Sequence, residues 1–242
     1  MLNLNNFSSF FVANWKLNGD FKFIDQFLGN LKIADDVSKC IVLCPTSIHL
    51  DYIRKKKNNF YIGAQNVSQH KEGAFTGEIS CISLADLKID FCIVGHSERR
   101  QIFNETNEII NLKSSQLIAH NIIPIVCIGE TLKEKESNKT NGVLAKQLQE
   151  SIPDSSNSNN TIIAYEPVWA IGTGLTPSIE EINKTHEFIK NYNPKLNNYK
   201  ILYGGSVKAD NAKEIVSLSN VDGALIGGAS LKFNDFTKII ED

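Results

Sequence analysis

The chain has 242 residues, 42% of them hydrophobic, with 25 Lys and Arg set against 27 Asp and Glu. That is enough apolar material for a sizeable core, and the near balance of charge excludes the broad basic field that nucleic acid or an anionic membrane surface selects, so an anionic ligand has to be held by local dipoles and a few cations. No stretch approaches the roughly 20 apolar residues of a membrane span, residues 10–13 are too short and lack the basic flank of a signal core, and Cys40, Cys44, Cys81, Cys92 and Cys127 form no C-x-x-C pair; reduced, buried thiols in a cytoplasmic protein are the expectation.

The first apolar run, residues 10–14, ends on Asn14-Trp15-Lys16, and Phe23, Phe27 and Leu31 mark a helix after it by their spacing of four. Runs at 40–44 and 60–64 follow, the second leading into the long loop 65–78. Run 91–94 passes into Gly95-His96-Ser97-Glu98. Ile109, Leu112, Leu117 and His120 predict one long helical stretch before run 123–127, and Val143, Leu144, Leu148 and Ile152 predict another behind it. Residues 153–160 read as a polar Ser/Asn loop, surface filler at the end away from the chemistry. Run 161–165 is followed at once by Glu166-Pro167, then by a helix carrying Ile182, Phe188 and Ile189. Run 200–203 opens into Gly204-Gly205-Ser206, and run 223–226 into Gly227-Gly228 and a short helical piece at 229–231.

These runs hardly alternate between apolar and polar, as expected of strands covered on both faces in a parallel sheet. Eight strand–helix units build either a closed (β/α)8 barrel or a doubly wound sheet, and counting does not separate them. No G-x-G-x-x-G follows the first run, which weighs against the dinucleotide-binding version of the open sheet. A barrel needs about 250 residues. No linker and no repeat beyond the unit itself interrupts residues 1–242, which therefore read as a single domain.

In a barrel the residues just past each strand meet on one face. There an amide (Asn14), a lysine (Lys16), a histidine (His96) and a glutamate (Glu166) would converge opposite two glycine-rich turns. Taken singly, each has a plain structural reading: Ser97 as a helix N-cap with Glu98 in the first turn, Glu-Pro as a turn, Gly-Gly as a tight bend. Taken together, they describe a site for an oxyanion held by backbone amides and a helix start, beside a carboxylate and an imidazole able to move protons. Residues 167–174, apolar and glycine-rich directly after Glu166, read as a lid that could exclude water. The five histidines stand at no zinc spacing, so neither a metal nor a cofactor is expected.

Seven segments carry a family resemblance. Residues 13–16 (Ala-Asn-Trp-Lys), 63–66 (Gly-Ala-Gln-Asn), 95–100 (Gly-His-Ser-Glu-Arg-Arg), 127–130 (Cys-Ile-Gly-Glu), 164–174 (Ala-Tyr-Glu-Pro-Val-Trp-Ala-Ile-Gly-Thr-Gly), 203–207 (Tyr-Gly-Gly-Ser-Val) and 226–231 (Ile-Gly-Gly-Ala-Ser-Leu) resemble the triosephosphate isomerases, in that family's order and across nearly the whole chain. The resemblance implies a closed (β/α)8 barrel that interconverts glyceraldehyde 3-phosphate and dihydroxyacetone phosphate, a step of glycolysis and gluconeogenesis. It implies Glu166 as the base, His96 as the electrophile, Lys16 as the cation and Asn14 as its placement. The amides of Gly172, Ser206, Gly227 and Gly228 would hold phosphate, and Glu98 and Cys127 would support from behind. A neutral His96 is expected from its position at a helix start. The resemblance also implies a homodimer through loop 65–78, with Thr76 reaching the partner's site and Glu78 pairing across the interface with Arg99. The chain departs from the family at Leu17, where Met is common, and at the lid's far hinge, where Leu175 and Pro177 replace the usual Lys and Ala; Pro177 is the expected first residue of the next helix.

Overall fold

Successive side chains of a strand point to opposite faces, so a strand without alternation needs apolar cover on both. The computed structural model, which describes residues 2–31, 33, 37–56, 59–173 and 175–241, supplies it by closing the sheet on itself. In chain order the elements are β1 (Ser9–Asn14), α1 (Phe21–Asn30), β2 (Lys39–Cys44), α2 (Leu50–Lys55), β3 (Tyr61–Ala64), α3 (Cys81–Asp86), β4 (Phe91–Val94), α4 (Ser97–Ile102), α5 (Asn107–Ala119), β5 (Ile123–Ile128), α6 (Leu132–Glu136), α7 (Thr140–Ser151), β6 (Ile162–Tyr165), α8 (Ile179–Asn191), β7 (Lys200–Tyr203), α9 (Ala212–Val216), β8 (Gly223–Ile226) and α10 (Phe233–Glu241). The strands form a closed parallel barrel in sequence order, β1 pairing with both β2 and β8. The closed barrel expected from the resemblance is the fold; the open sheet is excluded. Met1 and Asp242, the ends of the predicted domain, lie outside the described residues, as does Gly174 of the predicted lid.

Two apolar clusters share the strands. Phe10, Val12, Val42, Phe91, Ile93, Ile125 and Leu202 fill the barrel interior, whereas their neighbours Phe11, Ala13, Ile41, Leu43, Val94, Val126 and Ile201 join the layer between barrel and helices. Period two is therefore obeyed, but both sets are apolar, which hides it in the sequence. Leu4 and Phe7 close the barrel's N-terminal end, Phe7 meeting Phe10 and Tyr61 edge to face. At the closing seam β8 starts on Gly223, whose φ is +139°; a Cβ there would overlap the carbonyl oxygen of Phe10 on β1.

Three local expectations differ. Pro177 is not the first helical residue: Ser178 is the N-cap of α8, in a reciprocal capping box with Glu181, so Pro177 stands one place outside. The buried face of α5 is Ile110, Lys113, Ser114 and Leu117, while Leu112 is 46% exposed and Ile109 half-buried. The polar members disguise the stripe; Lys113 is buried because Glu105, at 2.5 Å, and Asn66, at 2.7 Å, receive its ammonium. The 153–160 loop is more than filler: Pro153, Ser156 and Asn160 are buried, and Ser156 Oγ lies 2.8 Å from Tyr199 Oη.

Candidate active site

All the residues expected to carry chemistry or phosphate line one cavity of about 420 Å³ at the C-terminal mouth of the barrel: Asn14, Lys16, His96, Glu166, Gly172, Ser206, Gly227 and Gly228. Its local construction begins at β1. Lys16 adopts a left-handed backbone, φ +52°, which for a residue with a side chain costs about 1 kcal/mol or more. The conformation is held from two sides. Lys16 N–H donates to Asn14 Oδ1 at 3.1 Å, and Gln65 Nε2 donates to the carbonyls of Lys16 and Cys44, both at 2.9 Å. So held, the ammonium reaches Glu98 Oε1 at 2.5 Å and passes close to the last glycine turn: an ideal Cβ on Gly227 would lie 3.9 Å from Lys16 Nζ.

His96, not Ser97, is the N-cap of α4. Its Nδ1 accepts from the Glu98 N–H at 3.2 Å, so Ser97 becomes the first helical residue. A nitrogen that accepts carries no proton, which leaves the imidazole proton on Nε2. Nε2 lies 3.0 Å from Glu166 Oε1, and Glu166 Oε2 accepts from the Ser97 N–H at 2.8 Å. Burial opposes charge on His96, but the charge and hydrogen bond of Glu166 outweigh it and raise the ring's pKa above its ordinary value. The expectation of neutrality drawn from the helix start omitted this carboxylate. The Nδ1 acceptor bond pulls the other way, because an imidazolium would have to give it up.

Glu166 is 2% exposed. Its N–H donates to Ile128 O at 2.7 Å, and a Cβ on Gly129 would overlap its carbonyl oxygen, so Gly129 is the space in which the glutamate's backbone sits. Behind the site Arg100 binds the carbonyls of Gly95 and Cys127, both at 2.9 Å, tying the end of β4 to β5. Cys127 is buried, and burial raises its thiol well above the ordinary range; Glu98 pairs with Lys16 and gives its N–H to His96 Nδ1.

The predicted lid is rooted outside the cavity. Trp169 Nε1 donates to Glu130 Oε1 at 2.8 Å, Tyr165 Oη donates to the same oxygen at 3.2 Å, and Lys135 Nζ lies 3.5 Å from the centre of the Trp169 ring system. Burial raises the Glu130 carboxyl above its usual pKa, opposed by these donors. Three residues on, Gly172 turns with φ +70° and lines the cavity. On the facing wall the expected short helical piece is present as a turn of 3-10 helix, Gly228–Leu231. Gln65, Gly129 and Glu130 had no assigned role in the sequence reading, although each stands inside a segment that carried the resemblance.

Thr76 is exposed on the 65–78 loop and does not line the cavity. Arg99 already pairs with Glu105 of its own chain at 2.5 Å. Among the described residues no helix is long and apolar enough to cross a membrane.

Residues 9–242 match the sequence model of the family described as triosephosphate isomerase. Similar curated proteins carry that name. One from Francisella tularensis subsp. mediasiatica is 43% identical over 239 residues, 95% of this chain and 94% of its own. One from Buchnera aphidicola subsp. Cinara cedri is 44% identical, covering 95% of this chain and 96% of its own. A third, from Clostridium tetani, is 42% identical over 95% and 94%.

Proposed function

We propose a division of labour among the cavity's residues from one premise: the chain belongs to the triosephosphate isomerase family. It is an aldose–ketose isomerase, and its substrate is a triose phosphate. The reaction takes a proton from the carbon beside a carbonyl and returns it to the former carbonyl carbon, through an enediolate whose oxygens need donors already in place.

Glu166 is the base. At rest both of its oxygens are engaged, by Ser97 N–H and His96 Nε2, so the carboxylate has to turn from these donors toward the substrate carbon. That turn frees Nε2–H to donate to the substrate carbonyl as negative charge builds on it. It also removes the larger of the two carboxylate influences that raise the ring's pKa, leaving only that of Glu98, which moves His96 toward neutrality. The protonated Glu166 then delivers its proton to the adjacent carbon, while the imidazole exchanges protons between the two oxygens. Lys16 neutralises the developing charge, with Asn14 holding its backbone. The amides of Gly172, Ser206, Gly227 and Gly228 hold the phosphate, the last two at the start of a helical turn. Residues 167–174 close over this assembly, and residues 1–242 act as one domain. The observation that carries the reading is the 3.0 Å contact between Glu166 Oε1 and His96 Nε2 inside a cavity walled by glycine turns.

The same reading includes a homodimer through loop 65–78, with Thr76 beside the partner's site. Its support is a set of exposed apolar side chains that follow the first four strands: Leu17, Ile48, Phe75, Ile102 at the end of α4 and Phe103 are 94, 81, 41, 68 and 60% exposed. Exposed apolar side chains of this kind are what a partner subunit would remove from water. The five buried, free cysteines suit the reducing cytoplasm.

The test is a coupled assay on purified protein with each triose phosphate. Glu166→Gln is expected to lower kcat by at least about 10² with its circular dichroism unchanged. Near-parental turnover would remove Glu166 as the base.

A further inference from the structure

The charges on the cavity wall are unequally matched. Lys16 is committed to Glu98 at 2.5 Å, and Glu166 lies against His96. Lys208 lines the same cavity, is exposed, and has no ion-pair partner among the described residues. An arriving dianion therefore meets one lysine paired with a carboxylate, the Glu166 carboxylate, and one cation with no ion-pair partner among the described residues.

The backbone under Lys208 is fixed. Its N–H donates to Asn211 Oδ1 at 2.7 Å, and Asn211 Nδ2 donates to the Ser206 carbonyl at 3.0 Å, so one side chain clamps both ends of the 206–208 turn. This anchors the root of Lys208 two residues from Ser206, while its four-carbon stem leaves the ammonium free to follow a ligand.

We infer that Lys208 is the cation that draws the phosphate dianion onto the glycine turns: a steering and binding residue for the reaction, not a catalytic one. The inference rests on the phosphate placement proposed above. Its physical signature differs from that of Lys16. An exposed charge acts through water and is screened, over about 30 Å at 0.01 M salt but only about 3 Å at 1 M. Its effect belongs to capture of substrate and not to the chemical step.

The experiment compares the parent enzyme with Lys208→Gln and Lys208→Arg across a sodium chloride series, with inorganic phosphate as a competing anion. Lys208→Gln is expected to lower kcat/KM about threefold at low salt and to raise the inhibition constant of phosphate. The expected kcat is that of the parent, the gap should vanish near 1 M salt, and Lys208→Arg should restore the parental slope. Parallel salt curves for parent and Lys208→Gln, or a loss that persists at high salt or falls on kcat, would overturn the inference while leaving the phosphate placement intact. If phosphate does not compete with substrate in the parent enzyme, the placement fails and the inference fails with it.

Discussion

Lys16 concentrates the demands placed on single residues. Its backbone is left-handed, its carbonyl is tied to Gln65, and its ammonium stands between Glu98 and the Gly227 turn. Lys16→Ala removes the cation and leaves Glu98 facing an anionic substrate without a counter-charge. The expected result is a fall in kcat/KM of at least about 10², with KM rising as well as kcat falling; an unchanged specificity constant would refute the role. Gln65→Ala tests the support alone. It keeps the charge but frees the strained backbone, so an intermediate loss, about tenfold, is expected in the same assay. A loss equal to that of Lys16→Ala would mean that Gln65 touches substrate itself.

Among the elements, α8 carries the clearest pH dependence. His186 is fully buried on it, between Tyr165 of β6 and Tyr203 of β7. Burial holds its pKa at about 3, although the Asn220 carbonyl favours the protonated ring. The folded ring is thus neutral while the unfolded one takes a proton near pH 6.5. Stability from this site is complete above that value and is lost as the pH falls from about 6.5 toward 3, at up to about 1 kcal/mol per pH unit. Urea unfolding at fixed protein concentration should therefore show a midpoint falling between pH 7 and pH 5, and His186→Asn should flatten the fall. Identical pH slopes in the two proteins would show that other groups cause it.

For the whole molecule the testable question is association. Leu17, Ile48, Phe75, Ile102 and Phe103, which follow β1 to β4, are exposed apolar side chains that the proposed partner would cover. Thr76→Arg places a charge at the tip of the loop proposed to enter the partner, where burial without a counter-ion is costly. Sedimentation should shift from dimer to monomer, with turnover falling alongside. An intact dimer would put the interface elsewhere.

What was legible in the sequence was the part governed by short-range rules. Strand bodies could be located because β-branched and aromatic runs need cover on both faces, and β4, β7 and β8 begin and end where those runs do. The residues past each strand could be nominated because a parallel barrel gathers its strand ends. Nominating their roles took the resemblance, since Glu-Pro or Gly-Gly alone is a turn. Short helices such as α2, α3 and α9, of five or six residues, were not resolved, being shorter than the period needed to reveal a stripe. The face of α5 was misjudged because a buried Lys113 is tolerable only through Glu105 and Asn66, one of them 47 residues away. The sequence by itself thus determined which groups are available and roughly where strands end. Only the tertiary structure decided their pairing: that Glu166 rests on Ser97 and His96, that His96 keeps its proton on Nε2, and that among the described residues Lys16 has an ion-pair partner while Lys208 has none. The physical reason is that hydrogen bonds and charge interactions act over a few ångströms of space, and β4 and β6 bring residues 96 and 166 within that range only when the sheet closes.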